Sequence, residues 1–232
     1  MNQTSSPRQV DLSHVDTWIF DLDNTLYPAA SRLFDQIDVR IGQFVAELLD
    51  IDRQEARRIQ KTYFREHGTT LNGLMTLHDM EPEKFLHFVH DIDFSSLEPS
   101  VALQEALDKL PGRKLIFTNA DVPYARKVLA CLGVDHHFEH VYDIAAANYV
   151  PKPFPEAYDT LIERFDIVPA ESIFFEDIAR NLAPAAALGM TTVWVRGESD
   201  WSPPGEDHVA PDYETDDLPT WLESAIYNRR SG

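Results

Sequence analysis

The sequence predicts an α/β fold in which a doubly wound parallel sheet is interrupted, after its first strand, by an all-helical insert. Over 98–197, short apolar runs with strand character alternate with helical segments of roughly 10–15 residues. Such alternation indicates right-handed crossovers between parallel strands. Residues 31–97 contain no convincing strand, and their apolar side chains recur at helical spacing.

The insert is predicted to hold four helices. The first, at 34–48, is indicated by the spacing of its apolar residues. The second, at 53–66, ends near Gly68, because glycine readily adopts the left-handed conformation beyond a helix C-terminus. A short third helix is expected at 70–78. The fourth, at 82–90, begins with a proline, which the first turn of a helix tolerates.

The first strand is predicted at 17–22, and the other strands follow the insert. Each is a short apolar run, as expected for a strand buried on both faces of a parallel sheet. Glycine or proline ends the helices between them, at 111–112, 133 and 189. The later strands are expected at 114–118, 140–143, 172–176 and 191–195, the helices at 101–110, 122–132, 154–165 and 178–188, and a last helix at 219–227.

These elements divide the chain into a core, an insert and two ends. The α/β core comprises 15–30 and 98–197, and the helical insert comprises 31–97. Residues 1–14 are expected to form a flexible leader, and 198–232 an exposed, acidic, proline-rich C-terminal tail.

Composition limits the partners that the protein can bind. The chain has 39 Asp and Glu against 20 Lys and Arg, a formal net charge of -19, and it shows no basic patch. Nucleic acid polymers and anionic membranes are therefore poor candidates. A small phosphorylated metabolite remains possible, because lysines, backbone amides and a metal ion act locally.

The chain has one cysteine, Cys131, which excludes an internal disulfide and fits a reducing cytoplasm. We expect a monomer or homodimer.

Polar residues that can carry chemistry follow four of the predicted strands. Carboxyl ends of parallel strands meet at one edge of the sheet, where such folds bind ligands. Two aspartates at spacing i, i+2 point to the same side of a strand and suit a nucleophile paired with an acid/base. A hydroxyl, a lysine and a further carboxylate pair complete what phosphoryl transfer needs. The set is Asp21 and Asp23, Thr118 and Asn119, Lys152, and Glu176 and Asp177.

Each of these residues also has a simpler interpretation. The aspartates could open a calcium loop, but Leu26 and Arg32 stand where Gly and Glu are required. Taken singly, Thr118 could cap a helix, Lys152 could lie in a rigid turn between prolines, and the acids at 176–177 could favour a helix dipole. Those interpretations do not explain why all four features stand at strand ends in this order.

Other motifs favour different chemistry only weakly. His136, His137 and His140 have zinc-like spacing, but no second cluster lies near them in sequence, and we expect them to be solvated. The chain has neither a glycine-rich dinucleotide motif nor a P-loop.

The motifs resemble those of the haloacid dehalogenase superfamily. Residues 21–28, Asp-Leu-Asp-Asn-Thr-Leu-Tyr-Pro, are similar to its first motif, and the residues at 118–119, 152 and 176–177 to the next three, in order. Residues 68–71, 89–93, 116–120 and 149–153 are similar to its pyrimidine 5'-nucleotidase subfamily. The resemblance implies a Rossmann-like core with an α-helical cap inserted after the first strand.

The resemblance also implies a function. The protein would be a Mg²⁺-dependent phosphoric monoester hydrolase that acts through an aspartyl-phosphate on pyrimidine nucleoside 5'-monophosphates such as UMP and CMP. Asp21 would be the nucleophile and Asp23 the acid/base. The expected phosphate ligands are Thr118, Asn119 and Lys152, and the expected metal ligands are Asp21, the Asp23 backbone carbonyl, Asp177 and, through water, Glu176.

Substrate choice is the open part of this expectation. The subfamily usually has an aromatic residue where this chain has His67, before Gly-Thr-Thr. The expected cap residues for specificity are Tyr63, Phe64, His67, Thr69, Thr70 and Asn72. Alternatives are a phosphatase for a sugar phosphate or pyridoxal phosphate, a phosphomutase, a dehalogenase and a non-catalytic nucleotide sensor. Asp23 argues against the last two, because neither halide departure nor binding needs an acid.

Overall fold

Six parallel strands form one sheet in the part of the chain that this computed structural model describes, residues 12–197 and 210–231. The order across the sheet is β3-β2-β1-β4-β5-β6. The central strand, β1, is buried along its whole length. The strands are β1 Thr17–Phe20, β2 Arg113–Phe117, β3 His140–Tyr142, β4 Ser172–Glu176, β5 Thr191–Val195 and β6 Tyr213–Thr215.

Helices cover both faces of the sheet. Ile19 and Phe174 belong to the apolar cluster of one face, and their neighbours Phe20 and Phe175 to the cluster of the other. Alternate strand residues point to opposite faces, so a sheet buried on both sides needs continuous apolar runs. The core helices are α5 Val101–Lys109, α6 Val122–Leu132, α7 Pro155–Phe165, α8 Leu182–Ala187 and α9 Leu218–Ser231. This architecture confirms the predicted fold class.

The predicted helical cap lies between β1 and α5. Its four helices are α1 Leu33–Leu49, α2 Arg53–His67, α3 Thr70–His78 and α4 Pro82–Val89. Side chains cap two of them, since Asp52 accepts from the first amides of α2 and Thr69 from an amide of α3. Helix α1 packs on α2 and α4, and α2 packs on α3.

The strand register brings the functional loops to one level. Phe20, the last residue of β1, pairs with Ile116 of β2 and with Phe175 of β4. The residues that follow these strands therefore leave the sheet together. These residues lie at the topological switch point beside β1, because β2 and β3 extend the sheet on one side of β1 and β4, β5 and β6 extend it on the other.

Part of the predicted C-terminal tail belongs to the sheet. Strand β6 pairs in parallel with β5, and the Asp212 carboxylate accepts from the backbone and hydroxyl of Thr192 at 2.9 and 3.0 Å. The strand has three residues at the sheet edge and no buried side chain. It therefore lacks the apolar run by which sequence identifies a strand. Residues 198–209 of the predicted tail lie outside the described residues.

The two ends of the described chain contribute to the core. Leu12, within the predicted leader, is 1% exposed. Helix α9 packs against α5, with Leu218 and Leu222 buried and Trp221 edge-on to Phe175. Residues 1–11 lie outside the described residues. Of the described helices, none combines the length and the apolar character that a membrane span requires.

Gly112, in the turn before β2, packs closely against the backbone, and Gly189 is a matched control for the effect of that close approach. Gly112 has φ +81, and a Cβ there would lie 2.1 Å from the Asp16 backbone oxygen. Gly189 has φ +91, and a Cβ there would have no atom within 4 Å. We expect Gly189→Ala to lower the free energy of unfolding by about 1–2 kcal/mol, from backbone strain alone. Gly112→Ala should cost clearly more, because the clash adds to the strain. Urea unfolding of both variants measures the difference, and equal losses would contradict the close approach.

Candidate active site

The sequence-predicted core residues surround one cavity of about 130 Å³. Asp21 and Asp23 follow β1, Thr118 and Asn119 follow β2, Lys152 lies on the loop after β3, and Glu176 and Asp177 stand at the end of β4. All of them line the cavity. The register of the sheet thus joins residues that are far apart in the sequence.

Lys152 is the central cation of the site. Its Nζ donates to Asp21 Oδ1 at 2.6 Å, to Glu176 Oε2 at 2.6 Å and to the Phe117 carbonyl at 2.9 Å. The side chain is 1% exposed. Burial alone would lower the pKa of Lys152, but Asp21 and Glu176 raise it well above its usual value. The ammonium group therefore stays charged.

Asn119 and Thr118 contribute to the cavity in different ways. The Asn119 side chain accepts from the Lys152 backbone amide at 2.9 Å and donates to the Lys152 carbonyl at 3.3 Å. This side chain, expected to bind phosphate, thus holds the loop of Lys152. Thr118 Oγ1 accepts from the Ala120 amide at 3.0 Å, which leaves the hydroxyl able to donate into the cavity.

Asp21 is a buried carboxyl group with a perturbed pKa. Its Oδ1 is paired with Lys152, and its Oδ2 accepts from Thr25 Oγ1 at 3.1 Å. Burial raises the pKa of Asp21 to about 7, and Glu176 adds to this, while Lys152 opposes it. A further cation near Asp21 would restore its ionised form.

Asp23 is held by two tyrosines. Its Oδ1 accepts from the Tyr27 hydroxyl at 2.5 Å and from the Tyr124 hydroxyl at 2.6 Å. Burial raises the pKa of Asp23, whereas the two hydroxyls lower it. The two aspartates therefore have different hydrogen-bond partners.

The remaining carboxylates form a candidate cation site. Oxygen atoms of Asp21, Glu176 and Asp177 lie within 4.8 Å of one another, and all three residues are buried. Burial, then Glu176 and Asp21, raise the pKa of Asp177 well above its usual value. Three buried carboxyl groups in this arrangement are a set of hard oxygen ligands, which suits Mg²⁺.

Both carboxylate oxygens of Glu176 already have hydrogen-bond partners. Its Oε2 is bonded to Lys152, and its Oε1 accepts from the Ile178 amide at 3.1 Å. Both oxygens of Asp21 are bonded as well, so of the three residues Asp177 is the best placed to hold a cation directly.

The cap contributes a largely apolar wall to the cavity. Its cavity-lining residues include no Asp, Glu, Lys or Arg. Of the expected specificity residues, Thr69, Thr70 and Phe64 line the cavity. The others on the cap side, which sequence reasoning did not select, are Phe34, Ile37, Ile41, Leu71, Phe85, Leu86, Val89 and His90.

Three expected specificity residues do not line the cavity. The Tyr63 hydroxyl forms a hydrogen bond with His78 Nε2 at 2.7 Å, and its ring packs edge-on to His67. The Tyr63 side chain also lies so close to Gly73 of α3 that a Cβ at position 73 would clash with it. Asn72 donates to the His67 carbonyl at 2.9 Å. Positions 63 and 67 share a helix face. That face of α2 points to α3, and the next position, Phe64, points to the cavity.

Two site residues near Asp23 were also missed. Tyr27 stands four residues after Asp23, a spacing that could have marked it as a partner. Tyr124 lies 101 residues from Asp23 in sequence, and only the fold brings it there.

Arg180 connects the cap to the core beside the cavity. Its Nη2 donates to the carbonyls of Phe64 and Gly68 at 2.8 and 2.9 Å, and its guanidinium lies 4.0 Å from the Phe64 ring centroid. These carbonyls belong to the C-terminal end of α2, where the helix dipole favours a cation. Arg180 follows Asp177 by three residues, so the same loop serves the cation site and the cap.

The histidine motif lies away from the cavity. His136 and His137 stand near Asp108, with possible ligand atoms within 4.8 Å, whereas His140 stacks on Phe165 at 4.9 Å. The three histidines therefore do not form the group that their spacing suggests.

Comparison with known proteins identifies the family of this chain. A haloacid dehalogenase-like hydrolase family model matches residues 15–189. The chain is 26% identical over 191 residues to Phosphate metabolism protein 8 of Saccharomyces cerevisiae, an alignment that covers 75% of this chain and 59% of the yeast protein. It is 30% identical over 187 residues to the Fructose-1-phosphate phosphatase YqaB of Escherichia coli, which covers 77% of this chain and 95% of that protein.

A solved structure shares the fold. The putative HAD-hydrolase YfnB of Bacillus subtilis, described as bound to magnesium and as revealing interdomain movement, superposes with a TM-score of 0.58 at 16% identity. The match covers 91% of this chain and 98% of that one. The family match over residues 15–189 and the E. coli relative show that the chain belongs to the haloacid dehalogenase-like hydrolase family.

Proposed function

We propose that the protein is a Mg²⁺-dependent phosphomonoesterase that hydrolyses pyrimidine nucleoside 5'-monophosphates through an aspartyl-phosphate on Asp21. The observation that carries this is the bonding of Lys152 to Asp21 and Glu176 in a cavity that also holds Asp23 and Asp177. That arrangement places a nucleophile, an acid/base and a fixed cation around one small volume. The named phosphatase among its relatives supports the same reaction class.

The residues divide the reaction into two steps. Asp21 attacks phosphorus, an Asp21–phosphorus bond forms, and the bond to the leaving oxygen breaks. Asp23 gives that oxygen a proton and later takes one from the attacking water. Thr118 donates to the phosphoryl oxygens, and Lys152 offsets the charge of Asp21 against the phosphate.

The carboxylate set fits a magnesium ion. Asp21, the Asp23 backbone carbonyl and Asp177 would hold it, with Glu176 acting through water. When bound, the ion supplies positive charge to the phosphoryl oxygens. Support comes from the buried oxygen ligands and from the magnesium described for the Bacillus subtilis protein.

The nature of the cap wall bears on the substrate. A nucleoside is uncharged and has a flat base, which can pack on the phenylalanines at positions 34, 64 and 85 of the wall. The subfamily resemblance of residues 68–71 and 149–153 points the same way. A sugar phosphate is the second candidate, because a 30% identical relative is a fructose-1-phosphate phosphatase. A hexose has more hydroxyl groups than a nucleoside, and the polar side chains that this wall offers them are Thr69, Thr70 and His90.

Phosphate release from a panel of esters tests the proposal. The panel comprises UMP, CMP, dUMP, AMP, fructose 1-phosphate, pyridoxal phosphate and 4-nitrophenyl phosphate, each with Mg²⁺ and with EDTA. We expect Mg²⁺-dependent release with the highest kcat/KM for UMP or CMP. A higher kcat/KM for fructose 1-phosphate would move the substrate class and keep the mechanism. Absence of release from every ester would reject the function.

Replacing the nucleophile tests the mechanism. We expect Asp21→Asn to lower kcat on every ester by at least about a thousandfold, because an amide cannot form the phosphoenzyme. The change is nearly isosteric, so circular dichroism should show a folded protein. Asp108→Asn, an exposed change on α5, is the control and should keep wild-type activity. Turnover by folded Asp21→Asn close to wild type would contradict the role of Asp21.

Thermal unfolding tests the cation site. Carboxyls with raised pKa hold protons in the folded state that the unfolded chain has lost, so between about pH 4 and 7 these groups make the metal-free protein less stable as pH rises. Mg²⁺ must displace those protons. We therefore expect Mg²⁺ to raise Tm more at about pH 8 than at about pH 5.5, relative to EDTA.

A ligand variant controls for general ionic effects. Asp177→Asn should lose most of the Mg²⁺-dependent rise in Tm at either pH. A rise of the same size at both pH values, or one that survives in Asp177→Asn, would show that the ion binds elsewhere.

A further inference from the structure

Two tyrosine hydroxyls converge on a single oxygen of Asp23. Tyr27 approaches from the loop after β1 and Tyr124 from the first turn of α6, and both donate to Oδ1, at 2.5 and 2.6 Å. Both tyrosines are at most 2% exposed. Burial and the neighbouring carboxylate raise the pKa of each hydroxyl well above its usual value, so each remains a donor.

The second oxygen of Asp23 has a different environment. Within residues 12–197 and 210–231, no hydrogen bond is formed to Asp23 Oδ2, and Asp23 lines the cavity. The carboxyl plane is fixed by the two bonds to Oδ1. Oδ2 is therefore the oxygen left to exchange a proton with a reacting group.

The ring of Tyr124 is held independently of its hydroxyl. It stacks on His90 of the cap, with centroids 4.3 Å apart and planes at 14°, and lies 5.9 Å from Phe94. Its backbone amide donates to the Asp121 carboxylate, which caps α6. Removal of the hydroxyl alone leaves these contacts in place.

We propose that Tyr27 and Tyr124 are positioning residues that hold Oδ1 of Asp23, so that Oδ2 delivers the proton to the leaving oxygen. The inference rests on the proposed phosphatase function and assigns roles to two residues that are not among the expected site residues. Neither tyrosine contacts the phosphorus or the leaving group in this scheme. Each acts through Asp23.

The chemistry predicts a selective defect. As the Asp21–phosphorus bond forms, the electron pair of the breaking bond stays on the leaving oxygen, which takes the proton from Oδ2. The tyrosines continue to donate to Oδ1 of the resulting carboxylate. A nucleoside alkoxide needs that proton, whereas 4-nitrophenolate leaves without one. Misplacement of Oδ2 should therefore lower kcat/KM for alkyl esters and leave kcat/KM for the nitrophenyl ester nearly unchanged.

The experiment compares kcat/KM for two esters with Mg²⁺ present. This parameter reports events up to phosphoenzyme formation, so slow hydrolysis of the phosphoenzyme does not obscure it. For Tyr124→Phe we expect kcat/KM for UMP to fall about tenfold or more, the effect of one lost bond to a charged group. The value for 4-nitrophenyl phosphate should change less than about threefold. Tyr27→Phe should show the same pattern, and it carries the test if Tyr124→Phe does not fold.

Matched variants separate the outcomes. Tyr142→Phe removes the hydroxyl of another buried tyrosine, on β3 and outside the cavity, and should leave both esters at wild-type values. Equal falls on both esters in the two site variants would show a general structural role and overturn the inference, as would no change on either. If the wild type hydrolyses 4-nitrophenyl phosphate and another alkyl ester but not UMP, that ester replaces UMP. A wild type with no activity on any ester rejects the proposed function itself.

Discussion

The site depends on the buried ion pairs that Lys152 forms with Asp21 and Glu176. A buried ammonium group is costly unless it is paired and fully bonded, and here all three of its protons have acceptors. The same contacts fix the oxygen of Asp21 that faces the lysine. The carboxyl groups of the site still outnumber this cation, so a second cation is needed before all of them can ionise.

The backbone supports that ion pair from two directions. Pairing of Phe20 with Ile116 and Phe175 sets the ends of three strands level, which fixes where Asp21 and Glu176 emerge. The Asn119 side chain then holds the loop by bonding to both the backbone N–H and the backbone carbonyl of Lys152. The sheet thus determines where the carboxyl groups of Asp21 and Glu176 lie, and the Asn119 side chain helps to determine where Lys152 lies.

Local sequence patterns predicted the strands and the residues at their ends, because apolar runs and the polar residues that follow them are local signals. Strand β6 was missed because an edge strand of three exposed residues has no such signal. Tyr124 was missed as a partner of Asp23 because their contact depends on the fold. Tyr63 and Phe64 were both expected at the cavity and only Phe64 lines it, since helical spacing shows which residues share a face but not what that face meets.

The link made by Arg180 uses main-chain carbonyls of the cap at Phe64 and Gly68. Main-chain acceptors are supplied by any sequence that keeps the helix end in place. Side chains on the cap wall can therefore vary while this attachment to the core persists. A family built in this way can evolve new substrates by changing the wall alone, and a designer who exchanges cap residues in this protein needs to preserve the path of the backbone at the end of α2 before its side chains.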